Sequence, residues 1–395
     1  MSTSDITKLI QELMAAAVSP PQDENLRKEL YEAAQRLSLA IESPHDTVYR
    51  VIYSPMILSV VQIASNMKIF TTLAGKSSPC SAIDLASPSG ADPVFTARIA
   101  RFLASHGFIT EVDEDVYQSN HLTTTLSIDG FRAGINQAFQ GIAPCLQVAP
   151  QFFKNSNYAN PSNVVDTPFQ KAFQTELPAF VWMQSHPEIV ADFGLWMTAV
   201  HNGKKAWMDV VDFTALVGEA DAEMPVFVDV GGGVGSQCAL LKARLPNLTG
   251  RVILQDLPVV IEHHALPTDG VEKMAFDFWG EQPVKGARTY YLRNIIHDYP
   301  DEKALVLLKN TIAAMGPKSV LLIDDMIIPN KGAHRHATEQ DMVMLTTLAS
   351  IERTQKQWDI LLSSAGLKVL QRSVYLEETG DSLQIVIPEN KVIDS

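Results

Sequence analysis

From Val226 onward, apolar residues fall in short, nearly unbroken runs, and the stretches between them carry apolar residues at helical spacing. Val226–Val230, Arg251–Leu254, Arg288–Leu292 and Ser319–Ile323 read as strands buried on both faces. Ser236–Leu245, Pro300–Met315, Glu339–Ser350 and Thr354–Ser364 read as the helices between or after them. Leu367–Val374 and Ser382–Ile387 close the chain as an antiparallel pair. Strands alternating with helices predict an α/β fold, with a Rossmann-like, doubly wound parallel sheet and an antiparallel edge.

Upstream the pattern is helical. Ile6, Leu9, Ile10 and Leu13 make one stripe, and Leu26, Leu30, Ala33, Ala34, Leu37 and Ile41 another, split by Ser19-Pro20-Pro21. Residues 1–46 therefore read as a helical extension. In residues 47–128, helices over Pro55–Leu73, Ser81–Leu85 and Pro93–His106 precede a hairpin of Gly107–Ile109 and Val116–Tyr117. Three helices and a wing predict a winged-helix-like unit. The wing is acidic (Asp113, Glu114, Asp115) and the helices are poor in Lys and Arg, so phosphate is repelled and the unit is read as a dimerisation domain. Residues 129–217 read as a helical linker and pocket region studded with aromatics. Residues 218–395 carry the α/β domain.

Composition narrows the partners. The net charge of −14 argues against nucleic acid. The three cysteines are scattered, forming neither a disulfide framework nor a metal pattern, which suits a reducing compartment. The first residues lack a basic, then apolar, leader. No uninterrupted apolar run is long enough to span a bilayer. The expectation is a cytoplasmic protein with no membrane or metal partner.

The first βαβ unit carries the ligand signal. Asp229 sits inside its strand, and Gly231, Gly232, Gly233 and Gly235 follow at once. The next strand ends in Asp256, which suits ribose hydroxyls. A dinucleotide fingerprint needs a third glycine where Ser236 stands. Close backbone approach without a pyrophosphate cradle fits S-adenosylmethionine (SAM).

Three polar residues lie just beyond strand or helix ends: His297, Asp325 and Glu352. In a doubly wound sheet such positions meet at the ligand crevice. A histidine with two carboxylates is a minimal general-base kit. Taken singly, Asp325 reads equally as a cap, and Glu352 as a partner of Arg353.

The motifs VDVGGGVG, LQDLP, RNIIHDYPDE and IERTQKQW resemble the SAM-dependent O-methyltransferases of the caffeate and flavonoid type, in their fungal branch, from about Val48 to Pro388. The resemblance implies that His297 is the base, flanked by Asp325 (more often Glu in the family) and Glu352. It implies that Gly231 and Gly233, with Asp229, back the methionine end of SAM. Asp256 and Leu257 would hold the ribose, Asp277 and Phe278 the adenine, and Arg293 would lie near the cofactor. Phe193, Met197 and Met344 would wall a pocket for an aromatic or polyketide-derived acceptor, and the protein would be a homodimer. Segments such as ITKLIQEL and DTPFQKAFQTELPAFVWM also look like the pericyclases of the leporin type within this fold. These keep SAM but catalyse dehydration and Diels–Alder or Alder-ene cyclisation of substrates such as polyketide-derived pyridones. Retention of His297 favours methyl transfer. An intact His–Asp–Glu set counts against a catalytically silent SAM-binding protein.

Overall fold

The structure is a computed structural model that describes residues 3–201 and 203–389. The chain divides into two compact units, residues 1–60 and 61–395. In the first, helices Thr3–Val18 and Glu24–Ile41 precede a third, Pro44–Asn66, which continues into the second unit. Asp23 caps the second helix by accepting the Leu26 N–H at 2.8 Å. Ser43 starts the third, accepting the Asp46 N–H at 3.2 Å. The helix thus begins before Pro55, where sequence placed its start, and runs through the expected boundary at residue 46. It is also long and apolar enough to cross a membrane by length and composition, a test that helices of soluble proteins pass as well. Ile6, Leu9, Ile10, Val48, Val51, Ile52 and Met56 stay exposed on these helices.

In the second unit, Ile69–Ala74, Ala82–Ala86 and Pro93–Ser105 pack beside a small antiparallel sheet of Cys80–Ser81, Val116–Gln118 and Thr110–Asp113. The hairpin pairs residues 110–113 with 116–118, later in the chain than expected. Gly107, at φ +77, instead ends the preceding helix, with its N–H on the Ala104 carbonyl at 3.0 Å. Asp129–Gln137 then crosses Pro187–His201 closely. A Cβ on Gly134 would come within 2.4 Å of the Trp196 ring.

The large sheet has seven strands: β1 Pro225–Val230, β2 Arg251–Asp256, β3 Val271–Ala275, β4 Thr289–Arg293, β5 Val320–Met326, β6 Leu367–Leu376 and β7 Asp381–Pro388. Their order is β3-β2-β1-β4-β5-β7-β6. The first five are parallel, and β7 inserts antiparallel between β5 and β6. Strand β3 was not expected. Its residues alternate Val-Glu-Lys-Met-Ala on an exposed edge, which reads as loop. One core, on one face, gathers Val228, Leu292, Ile296, Leu307, Ile323 and Trp358. The other gathers Trp207, Phe227, Leu254, Tyr291, Leu322 and Tyr375. Strand order reverses between β1 and β4, so the crevice at their C-terminal ends is where an α/β sheet of this kind binds its ligand.

Candidate active site

The glycine turn leaves β1 at that crevice. Gly231 has φ +73, and a Cβ there would meet Ile295 at 2.7 Å and Phe278 at 3.4 Å. Gly233 has φ +59 and nothing within 4 Å of the position a Cβ would take. One glycine lets the turn pack tightly, and the other keeps an open backbone face. Asp256, at the end of β2, ties the turn down. Its Oδ2 accepts the Gly233 N–H at 2.8 Å, and its Oδ1 the Leu257 N–H at 2.7 Å. Each oxygen keeps a lone pair for a ribose hydroxyl. Burial pushes this carboxyl up, against the pull of both backbone donors.

Asp229 lies beneath the turn. It is buried, with the Cys238 thiol 3.6 Å from its Oδ2, and burial pushes it up to about 7. It supports the turn from below. Phe278 stands edge-on to Trp279 and Tyr299, at 5.2 and 6.0 Å. Asp277 is exposed and accepts the Trp279 N–H at 3.1 Å. Arg293 turns its guanidinium to Asp324, 3.3 Å away, where it is held by a buried network. Phe193 and Met197 sit about one turn apart on Pro187–His201. Met344 lies on Arg335–Leu348, which packs against the turn carrying His297. All three are partly buried.

The expected trio does converge. His297 lies on a short 3-10 turn, Ile296–Asp298, directly after β4. Its Nδ1 is 2.8 Å from Glu352 Oε1. Glu352 takes a further hold from Asp341, which accepts its backbone N–H at 2.9 Å. The ring Nε2 therefore faces away from Glu352. Asp298 Oδ1 lies 3.4 Å from it, a neighbour that sequence reasoning passed over although it stands in the HD pair. Asp325 is fully buried, and neither of its oxygens has a hydrogen-bond partner in the protein; Glu352 Oε2 likewise has none.

The electrostatics follow from this crowding. Burial alone would push the His297 imidazole down. The carboxylates of Glu352, Asp298 and Asp325 outweigh it and hold the imidazolium well above its ordinary range. Burial also pushes Asp298 up to about 7 and Asp325 up to about 8. The cluster thus sets the His297–Glu352 pair, 2.8 Å apart, beside two carboxyls that burial raises. Among the described residues no group of His, Cys, Asp and Glu could hold a metal.

A family model for an O-methyltransferase domain matches residues 162–368. This chain belongs to the O-methyltransferase family. A second model, for an O-methyltransferase dimerisation domain, matches residues 49–128. The O-methyltransferase lepI of Aspergillus flavus is 36% identical, over 92% of this chain and 93% of that protein. The demethylsterigmatocystin 6-O-methyltransferase of the same fungus is 34% identical over 88% of this chain and 90% of its own length. The structure of LepI with SAM superposes with a TM-score of 0.89 at 34% identity, covering 98% of this chain and all of that one. A structure described as a pericyclic reaction enzyme gives 0.89 at 33% identity over the same share of this chain. The family is SAM-dependent, and the open face at Gly233 with the tethered Asp256 fits that cofactor.

Proposed function

We propose that this protein transfers the methyl group of SAM to a phenolic or enolic hydroxyl of an apolar, ring-containing secondary metabolite, with His297 as general base. The observation that carries the reading is the imidazole fixed at Nδ1 by buried Glu352, which makes Nε2 the nitrogen that takes a proton. SAM, when bound, supplies an electrophilic methyl carbon. Asp256 holds the cofactor's ribose from β2, and Asp277 and Phe278 flank its base. His297 Nε2 accepts the hydroxyl proton, and Glu352 stabilises the imidazolium that results. Phe193, Met197 and Met344 offer an apolar, polarizable wall to a flat acceptor. The dimerisation-domain match and the exposed apolar residues of the first helices support a homodimer. The free thiols Cys80, Cys145 and Cys238 suit the cytoplasm.

A second reading is favoured by one observation. The surrounding carboxylates keep His297 protonated at rest, so the same site suits an acid that polarises a carbonyl or assists loss of water. That is the chemistry of a SAM-assisted pericyclase, and the likeness to LepI supports it. The two readings predict opposite pH dependence. A base works only when neutral, so methyl transfer rises with pH through the raised His297 pKa; acid catalysis falls over the same range.

Methyl-labelled SAM, incubated with metabolite extract of the producing organism between pH 6 and 9, tests both. Label in an acceptor, a rate rising with pH, and a loss of about 10²–10⁴-fold in His297→Gln support the base. Unchanged SAM beside an isomerised or dehydrated substrate, with a rate falling as pH rises, replaces methyl transfer by the pericyclic reading.

A further inference from the structure

Glu352 and Arg353 are adjacent in sequence and opposite in charge, yet they do not pair with each other. Glu352 turns to His297. Arg353 turns the other way and is almost completely buried, with 1% of its side chain exposed. Its Nε and Nη2 both reach Asp301 Oδ1, at 2.9 and 2.8 Å. Its Nη1 donates to the Ile296 carbonyl at 3.0 Å, and its Nη2 to the Tyr299 carbonyl at 2.8 Å. Those two carbonyls bracket His297 and Asp298. The third, that of His297 itself, accepts from the Ser350 hydroxyl.

The grip is itself anchored. The Arg353 carbonyl accepts the Ile328 N–H at 3.0 Å, and the Ile328 carbonyl accepts the Gln355 N–H at 3.1 Å. The guanidinium lies over the Trp358 ring, 5.4 Å from its centroid. That indole in turn donates to the Met326 carbonyl at 3.0 Å. The segment 350–358 is thus fastened to the chain after β5, and from there it holds the turn after β4 by three carbonyls and one imidazole.

We propose that Arg353, assisted by Ser350, is the positioning residue of this site: it fixes the backbone of the His297 turn so that the imidazole meets Glu352. A 3-10 turn of three residues has little internal hydrogen bonding to hold a side-chain direction. A planar guanidinium with several donors in a fixed fork can hold two carbonyls and a carboxylate at once; a lysine ammonium cannot match that geometry. Drawing its counter-charge from Asp301, whose side chain is 59% exposed, leaves Glu352 for the histidine. The residue touches no reacting group and acts through His297.

The test reads His297 directly, by NMR titration of its Cε1–H in the full chain labelled at histidine, with His297→Gln used for assignment. It needs no acceptor, so it stands apart from the methyl-transfer and pericyclic readings. In Arg353→Lys the His297 midpoint should fall by roughly 1 unit, because the imidazolium loses its held carboxylate. SAM affinity by calorimetry should stay within about twofold, since no ligand of the cofactor moves. Ser350→Ala removes one small hydroxyl, keeps the protein folded, and should shift the midpoint in the same direction by less. Unchanged midpoints in both variants, or in Ser350→Ala if Arg353→Lys does not fold, overturn the proposal and leave Arg353 a fold residue only.

Discussion

Asp324 and Asp325 are consecutive residues of β5, both buried, and their side chains point to opposite faces of the sheet. On one face Asp324 is saturated. Tyr291 donates to its Oδ2, Tyr375 to its Oδ1 at 2.6 Å, and Arg293 lies 3.3 Å from Oδ2. On the other face Asp325 has no donor at all and shares its surroundings with His297, Asp298 and Glu352. A buried polar group is expensive unless it is paired. The paired aspartate ties β4, β5 and β6 together. The unpaired one lies in the His297 cluster, where burial raises its carboxyl to about 8.

The comparison breaks most sharply under deletion. Asp324→Ala strands the Arg293 guanidinium in the interior, and should cost about 3–5 kcal/mol. Asp325→Ala removes a group with no partner to strand, and at pH 8 should change stability by about 1 kcal/mol or less. Urea unfolding of the two variants side by side measures the contrast. Equal losses would mean that Asp325 carries structural weight, and that the two faces of β5 do not differ.

A smaller effect sharpens the comparison through pH. Asp325 keeps its proton to about 8 in the folded chain, but to only about 4 when unfolded. Between those values the folded state binds more protons, so stability falls as pH rises and levels off above the window. Asp298, pushed up to about 7, adds the same sign. The raised His297 also contributes stability that is complete below its unfolded value of about 6.5, and that is lost as pH rises through its folded value. The thermal midpoint should therefore drop from pH 5 to pH 8.5. Asp325→Asn cannot ionise, and should lose up to about 4 kcal/mol less over that range. Parallel curves would show that Asp325 is charged at neutral pH.

How much of this was legible without coordinates depends on the distance in sequence between partners. The glycine turn and Asp256 are readable because strand, turn, helix and strand follow one another. His297 and Glu352 are readable because each stands just past an element that ends at the crevice; Asp325, expected just past a strand ending at Ile323, lies instead inside β5, which runs on to Met326. Asp298 was not singled out: adjacent side chains usually diverge, and only the 3-10 turn sets its carboxylate beside its neighbour's Nε2. In sequence Arg353 offers itself only as a partner for Glu352; the alternative, Asp301, becomes visible once the turn folds back over 52 residues. Arg293 was placed near the cofactor by likeness, and its ties to Asp324 and the tyrosines depend on strand order. Periodicity says which residues are buried, but not which buried polar groups find one another.

The smallest effect probes whether the two faces are independent. Tyr375→Phe removes one of three donors to Asp324 and leaves the ring in the core, so about 1 kcal/mol of stability should be lost. Its hydroxyl lies on the face away from His297. The charge of Asp324 contributes less to the rise at Asp325 than those of Glu352 and Asp298. Tyr375→Phe should therefore leave the His297 titration midpoint where it is in the unmodified protein, while Ser350→Ala moves it. A shift of comparable size in Tyr375→Phe would show that strain in the Asp324 network passes through β5 to the site, and the two aspartates would then have to be treated as one coupled device.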